Sequence, residues 1–301
     1  MKPRVVYIAG QSFCGSTVFC ALLGVHPEME PVSELSTWSK LGLEAWRVCA
    51  CGKPSAQCEF WTAVRARWLD GQAAGTLPDY IGLQDKIETI SYARPQLLGL
   101  PGRGGRDFDE YSRLTTSLFA SLCAVSGKPI IVDSSKKPGR AAAISRMEGL
   151  DVTIIHLVRS GLSYLDSNIR RNNLSPDEPN FLWKVFRLGL RWSISNFAAE
   201  RAVRVNRLGG VRVRYEDLLT DPAAALGAVG RAAGMDPGIV QEHVRQGRAI
   251  SYHHMDSGSR HRRAGPAPLR SEPPVPVQFD PRVRIAFFAA AGLLSRRYGY
   301  I

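Results

Sequence analysis

Apolar residues fall into short β-branched runs that are followed by small or polar residues and then by a helical pattern. The first run covers residues 5–9, a polar segment follows at 10–17, and residues 18–25 are again mostly apolar. A second run at 151–159 is followed by residues 160–167 in the same order. Each unit predicts a buried strand, a tight turn and a helix. Repeated strand and helix units predict an α/β fold with a central, mostly parallel sheet.

Helical periodicity is clearest at residues 181–204, where Phe181, Val185 and Trp192 recur at near-helical spacing. We therefore predict one long amphipathic helix in this region. Residues 285–294 are the longest apolar stretch near the end of the chain, and they fall short of the roughly 20 residues that span a bilayer. They predict a buried or amphipathic terminal helix.

The length of the chain suits one α/β domain, because 301 residues can bury a large core without a second domain. We predict a single domain over residues 1–301, in which residues 35–112 form a cap on the acceptor side of the site. Glycine and proline at 77–79 and 100–106 mark breaks within this cap. No charged and apolar leader precedes the first strand, which predicts a cytoplasmic protein.

The polar segment after the first strand has the glycine spacing of a phosphate-binding loop, since Gly10 and Gly15 are separated by four residues. Backbone N–H groups of such a loop and the positive end of the next helix bind phosphate oxygens. Ser16 stands where nucleoside triphosphatases and kinases have the lysine that, with magnesium, neutralises the β and γ phosphates. A loop without this lysine favours a single 5′-phosphate group.

This loop resembles the 5′-phosphosulfate loop of sulfotransferases that use 3′-phosphoadenosine 5′-phosphosulfate (PAPS). Four later segments resemble other parts of that family in the same order. They are the apolar run that ends in Asp-Ser-Ser-Lys at 129–137, the strand and turn at 151–167, the Arg-Tyr-Glu-Asp-Leu segment within 213–222, and the glycine and arginine loop at 258–263. The cysteine-containing segment 49–61 also looks like one from a bacterial-type branch of these enzymes.

The resemblance implies a three-layer, P-loop-like fold with a helical or loop cap, and a PAPS site built from these segments. The loop residues that it assigns to the nucleotide are Ser12, Phe13, Cys14, Gly15, Ser16 and Thr17. An arginine and a serine at the spacing of Arg159 and Ser167 grip the 3′-phosphate in this family. Arg262 matches a late arginine, which we expect at the 3′-phosphate or adenosine end. Without a nucleotide, Arg159 would be a solvated residue at a strand end and Ser167 a residue of a helix surface.

Sulfuryl transfer requires a base for the acceptor hydroxyl and a cation for the leaving phosphate oxygen, and it needs no metal. Glu34 is the candidate base, because related sulfotransferases with a glutamate base place it just beyond the first helix. Glu28 and Glu30 are competing carboxylates nearby.

The catalytic cation is a separate question, since the family often has lysine or arginine where Phe13 and Cys14 stand here. Lys136, at the end of the Asp-Ser-Ser-Lys segment, is the candidate substitute. Lys137 is the alternative, and either lysine would otherwise be a surface residue after a strand.

Six cysteines are distributed along the chain: Cys14, Cys20, Cys49, Cys51, Cys58 and Cys123. In a cytoplasmic protein we do not expect structural disulfides. Cys49, Cys51 and Cys58 suggest zinc, but their first spacing lacks the usual two-residue spacer, and His26 is the only nearby candidate for a fourth ligand. We therefore predict that the protein has no metal.

The chain has 39 basic and 27 acidic residues, which gives a net charge of +12 and favours a polyanionic ligand.

Two other functions share some features of this sequence. A P-loop small-molecule kinase would have the same loop and fold, but should carry the lysine that Ser16 replaces. A basic nucleic-acid-binding protein would need a continuous basic face with interleaved aromatic residues.

Taken with the resemblance, these observations predict transfer of a sulfuryl group from PAPS to a hydroxyl of a small molecule, glycan or lipid. We expect no nucleic-acid partner and at most a peripheral contact with membranes. The sequence leaves the acceptor and the oligomeric state open, because the acceptor pocket is built from the cap and not from the phosphate loops.

Overall fold

The computed structural model describes residues 2–41, 47–263, 265–270 and 277–301. The strands are β1 (Arg4–Gly10), β2 (Met29–Ser33), β3 (Ile130–Lys136), β4 (Asp151–Val158) and β5 (Gly210–Arg214). The helices up to β4 are α1 (Ser16–Leu23), α2 (Leu35–Leu41), α3 (Glu59–Leu69), α4 (Thr76–Ile87), α5 (Ile90–Leu97), α6 (Arg106–Ser126) and α7 (Pro138–Ile144). The later helices are α8 (Gly161–Asn172), α9 (Phe181–Val205), α10 (Tyr215–Thr220), α11 (Pro222–Ala233), α12 (Gly238–Arg245) and α13 (Pro281–Arg297).

The five strands form one sheet in the order β2-β3-β1-β4-β5, and each neighbouring pair is parallel. The predicted α/β fold with a central parallel sheet is therefore confirmed. Strands of a sheet that is covered on both faces have near-continuous apolar runs, as β1 has. This burial explains why the sequence marked the inner strands so clearly.

Alternate residues of β1 point into two different cores, which makes the fold three-layered. Val5 and Tyr7 pack with the helices that follow β2 and with α7 and α9. Val6 and Ile8 pack on the opposite face with α1 and α11. A third cluster joins α8, α9 and α13 beside the end of β4.

The long helix predicted at 181–204 is confirmed as α9, and the predicted terminal helix as α13. These two helices pack against each other, with Trp192 and Phe287 6.5 Å apart between ring centroids. None of the described helices is both long and apolar enough to cross a membrane.

The region between β2 and β3 is more helical than the sequence suggested. Pro78, expected to mark a break, lies in the first turn of α4, where the backbone N–H that proline lacks has no helical partner in any case. The break at 100–106 is confirmed as the connection between α5 and α6. Strand β2 was not predicted, because Pro31 interrupts its pattern; it is an edge strand, where proline is tolerated.

Candidate active site

Strand register brings the candidate residues to one edge of the sheet. Lys136 pairs with Ala9, next to the start of the phosphate loop. Ser33 ends β2 at its pairing with β3, so Glu34 follows at the same edge. Arg159 follows β4, which pairs with β1 up to the first residue of the loop. Carboxyl ends of parallel strands are the usual place for ligand sites in open α/β sheets.

The loop after β1 has the curvature of an anion-binding loop. Positive φ angles occur at Phe13 (64°) and Gly15 (90°), and the loop leads directly into α1. Alternation of this kind makes successive backbone N–H groups converge on a concave face. A Cβ at Gly15 would lie 2.3 Å from the ring of Tyr215, so only glycine allows the loop to pack this closely.

The side chains of the loop are divided between the surface and the core. Ser12 is exposed, whereas Ser16 and Thr17 are buried as the first residues of α1. Cys14 is also buried, and burial raises the pKa of its thiol. The thiol therefore stays protonated at neutral pH, and it packs as a small buried side chain.

Arg159 holds the loop from the β4 side. Its Nη1 donates to the carbonyl oxygen of Phe13 at 3.1 Å, and its guanidinium lies 5.1 Å from the ring centroid of Tyr215. Its Nε is buried and has no hydrogen-bond partner among the described residues. A buried cationic N–H that is left unpaired is costly, and an anionic ligand beside it would remove that cost. The site therefore fits a phosphate group on this side of the loop.

Glu34 and Lys136 form an ion pair, in which Lys136 Nζ donates to Glu34 Oε1. Their side chains are 24% and 15% exposed, respectively, so the pair is sheltered but accessible from solvent. The backbone N–H of Glu34 donates to Ser257 Oγ at 3.0 Å, and Ser33 Oγ donates to the Ser257 carbonyl at 2.7 Å. Residues 246–259, which follow α12 and are called the late loop here, thus hold the backbone that carries the Glu34 carboxylate.

Three non-glycine residues at this edge have left-handed backbone conformations: Ser33 (φ 61°), Phe13 (φ 64°) and Lys136 (φ 67°). They end β2, follow β1 and end β3, respectively. Such conformations cost about 1–3 kcal/mol each and concentrate at functional sites. The strain therefore marks the same edge that the candidate residues occupy.

The alternative residues lie elsewhere or are engaged by other groups. Glu28 is exposed ahead of β2. Glu30 lies within β2, 2.8 Å from Lys128. Burial would raise the pKa of Glu30, but hydrogen bonds from His253 and Lys128 outweigh it and hold this pKa below its ordinary value. Lys137 pairs with Glu88 at 3.0 Å, so it is directed away from Glu34.

Ser167 and Arg262 donate hydrogen bonds to residues outside the phosphate loop. Ser167 Oγ donates to the Ser163 carbonyl within α8 at 2.8 Å. Arg262 is buried, and its Nη1 donates to the Val48 carbonyl at 2.6 Å, which places it against the cap. The sequence did not indicate Arg270. Burial raises the pKa of Tyr215, and the charges of Arg159 and Arg270 partly oppose this rise, so Arg270 lies near the same ring as Arg159.

The late loop is anchored to α1 through a glycine. Thr17 Oγ1 accepts a hydrogen bond from the Ser259 N–H at 3.0 Å. Gly258 has a φ of +97°, and a Cβ there would lie 2.6 Å from Thr17 Oγ1. The close contact therefore requires glycine both for conformation and for space.

We predict that Gly258→Ala lowers the free energy of unfolding by about 1–3 kcal/mol, because the added Cβ combines backbone strain with a steric clash. Denaturant unfolding measures this loss. Gly71→Ala is the matched control, since Gly71 has a φ of +70° with open space around it. Equal losses in the two variants would contradict the close approach.

A buried charged network under the site was also missed. Arg140 is fully buried, and it donates from Nε to Asp133 Oδ2 at 3.0 Å and from Nη1 to Glu88 Oε1. Tyr111 also donates to Glu88 Oε1 at 3.0 Å. Burial would raise the pKa of Glu88, but Arg140 and Lys137 hold it below its ordinary value. The one sequence signal was an arginine inside the otherwise apolar segment Pro-Gly-Arg-Ala-Ala-Ala-Ile of α7.

His156, in contrast, has the structural role that its apolar strand indicates. It is fully buried, and its Nε2 lies 3.1 Å from Asn196 Oδ1. Because that oxygen only accepts, the imidazole is the donor. Burial lowers the pKa of His156 to about 4, so it is neutral at physiological pH and takes no part in the site.

Comparison with known proteins gave similarities among solved structures alone, since no family model and no curated protein matches the chain. A sulfotransferase domain from the olefin synthase of Synechococcus PCC 7002 has 15% identity and a TM-score of 0.43, covering 96% of this chain and 97% of its own. A sulfotransferase domain from the curacin biosynthetic pathway has 13% identity and a TM-score of 0.47, with 97% and 98% covered.

A third similar structure is a sulfotransferase from Mycobacterium avium, with 11% identity and a TM-score of 0.44 over 88% of this chain and 75% of its own. All three TM-scores are below one half. We therefore rest the functional argument on the residues of the site and not on these similarities.

Proposed function

We propose that the protein is a sulfotransferase that moves the sulfuryl group of PAPS to a hydroxyl acceptor. The main support comes from one edge of the sheet. There, a phosphate loop that lacks the kinase lysine lies next to the ion pair of Glu34 with Lys136. The first feature suits a single 5′-phosphate, and the second supplies a base and a cation for the transfer.

In this proposal the nucleotide lies across the carboxyl ends of β1 and β4. Backbone N–H groups of residues 12–17 and the N-terminus of α1 bind the 5′-phosphosulfate. Arg159 binds the 3′-phosphate, and Ser167 contributes its hydroxyl two helical turns into α8. Arg262 remains a candidate for the adenosine end, which requires it to act from the cap where Val48 now accepts its hydrogen bond.

The transfer is a displacement at sulfur. The acceptor oxygen forms a bond to sulfur while the bond from sulfur to the 5′-phosphate oxygen breaks. Glu34 accepts the proton of the acceptor hydroxyl. Lys136 neutralises the charge that develops on the departing phosphate oxygen, and 3′-phosphoadenosine 5′-phosphate (PAP) leaves.

The ion pair between Glu34 and Lys136 supports these roles. An ammonium has three N–H donors, so Lys136 can hold the carboxylate with one and still reach a phosphate oxygen with another. Both side chains are partly exposed, so an acceptor can reach the carboxylate from solvent. We propose a hydroxyl of a small molecule, glycan or lipid as that acceptor.

A small-molecule kinase is less well supported by the same edge of the sheet. Kinase chemistry needs a carboxylate for magnesium near the phosphates. Asp133, the acidic residue of β3 near this edge, is fully buried; its Oδ2 accepts from Arg140 and its Oδ1 from Ser135. Its oxygens are therefore committed within the protein.

Calorimetric binding of PAP, compared with ATP and magnesium, tests the proposed donor site. We expect magnesium-independent binding of PAP that weakens about tenfold to a hundredfold in Arg159→Ala, since a hydrogen bond to a charged group contributes about 1.5–3 kcal/mol. Arg171→Ala is the control, because Arg171 is exposed near the end of α8. A preference for ATP with magnesium, or equal binding of PAP by both variants, would contradict the proposed site.

A further inference from the structure

Three cysteines of the cap meet a histidine from a distant part of the chain. The ligand atoms of Cys49, Cys51, Cys58 and His254 all lie within 4.8 Å of one another. The prediction of no metal rested on the spacing of Cys49 and Cys51, which lacks the usual two-residue spacer, and on His26 being the only candidate for a fourth ligand near the cysteines in sequence. The fold supplies one, since His254 reaches Cys58 across 196 positions of the chain.

Two of the distances within the cluster are close to those of a tetrahedral thiolate site. Cys51 Sγ lies 3.7 Å from Cys58 Sγ, and Cys58 Sγ lies 3.3 Å from His254 Nδ1. Ligands about 2.3 Å (sulfur) and 2.0–2.1 Å (nitrogen) from a tetrahedral zinc ion stand roughly 3.5–3.8 Å apart. A small shift of the side chains would therefore place all four ligand atoms around one ion.

The backbone around the cluster is already ordered for this purpose. Cys49 N–H donates a hydrogen bond to the Lys53 carbonyl at 2.9 Å, and Gly52 N–H donates one to the Cys49 carbonyl at 2.9 Å. These bonds form the tight turn that presents Cys49 and Cys51. His254 is held by Trp61, whose Nε1 donates to its carbonyl at 2.7 Å, and by the ring of Phe60, which stacks on the imidazole at 4.9 Å.

The surrounding charge also suits such a centre. Three thiolates and one divalent ion leave a net charge of about minus one. Arg262 lies within electrostatic reach of Cys49, and Lys53, which also pairs with Glu59 at 2.6 Å, lies within reach of Cys51 and Cys58. Cys49 and Cys58 are buried whereas Cys51 is exposed, so an ion has a route of entry.

We propose that Cys49, Cys51, Cys58 and His254 bind a structural zinc ion. All four positions are filled by protein ligands, which is the arrangement of structural and not catalytic zinc sites. The ion joins three cysteines of the cap to His254 of the late loop. A hydrogen bond from Ala50 N–H to the Met255 carbonyl, 3.0 Å long, connects the same two segments. Two residues further on, Ser257 holds Glu34, so the zinc ion stabilises the loop that positions the candidate base.

Metal content of the full-length protein, purified under reducing conditions, tests the proposal. We expect about one zinc ion per chain in the wild type and a cobalt-substituted form with the absorption of tetrahedral thiolate coordination. Cys51→Ser should lose at least about tenfold in zinc affinity, because it removes one ligand. Since Cys51 is exposed, this variant leaves the core packing unchanged.

Cys123→Ser is the matched control, because Cys123 lies outside the cluster and its Sγ contacts the Pro129 carbonyl. It should keep the metal content of the wild type. Chelation of the wild type should lower its melting temperature, which provides a measurement that needs no variant. Three results would overturn the proposal. They are reduced protein that binds neither zinc nor cobalt, a disulfide between Cys51 and Cys58 instead of a bound ion, and full metal affinity in Cys51→Ser.

Discussion

Glu34→Gln is expected to lower kcat for sulfuryl transfer by about a hundredfold to ten-thousandfold, while PAP binding stays within about twofold. The amide keeps the size of the side chain and accepts a hydrogen bond from Lys136, but it cannot take a proton from the acceptor. The nucleotide contacts proposed for the phosphate loop and Arg159 do not involve this carboxylate. Steady-state transfer and calorimetric binding, measured on the same preparation, separate the two effects.

Glu28→Gln is the control for this experiment, because Glu28 is exposed ahead of β2. It should leave kcat unchanged. Lys136→Met should also lower kcat, and the double variant should lose less than the product of the two single losses, since the residues act as a pair. If Glu34→Gln retains wild-type kcat, Glu34 is not the base.

Arg140→Met is expected to lower the free energy of unfolding by about 3–5 kcal/mol, because it leaves the buried Asp133 without its cation and Glu88 with only the partly exposed Lys137. Arg140, Asp133 and Glu88 are all essentially inaccessible to solvent. Methionine fills a similar volume, so the loss reports on the charge and not on a cavity. Denaturant unfolding at neutral pH measures it.

Adding Glu88→Gln to Arg140→Met should recover part of that loss, since it removes one of the two buried carboxylate charges that Arg140 paired. Lys137→Met should cost less than Arg140→Met, because Lys137 is 37% exposed and solvent screens its pair with Glu88. A loss of under about 1 kcal/mol for Arg140→Met would show that the network does not hold the β3 end of the site in place.

Much of the central fold was predictable from the sequence because burial leaves a local signal. Strands β1 and β4 are covered on both faces and are mostly apolar, and α9 shows its helical period over 25 residues. The phosphate loop was recognisable for a related reason. A Cβ at Gly10 would lie 2.4 Å from the Leu157 carbonyl oxygen, and one at Gly15 would lie 2.3 Å from the ring of Tyr215. Only glycine fits at these two positions, so their spacing appears directly in the sequence.

Pairings between distant residues left no such signal. Arg140 meets Glu88 across 52 positions, and the Cys58 contact with His254 depends on the path of the late loop over the cap. The edge strand β2 was hidden by Pro31, which a central strand would not tolerate. The position of Arg262 against the cap follows from tertiary packing, which a local motif does not contain.

The most direct test of the account is transfer of a labelled sulfuryl group from PAPS, without added magnesium, to a mixture of small hydroxyl compounds, glycans and lipids. A parallel reaction contains ATP labelled on its terminal phosphate together with magnesium. We predict that label moves from PAPS to a hydroxyl and that PAP appears in equal amount, with no transfer from ATP. Label that stays on PAPS while phosphate moves from ATP to a hydroxyl would contradict it.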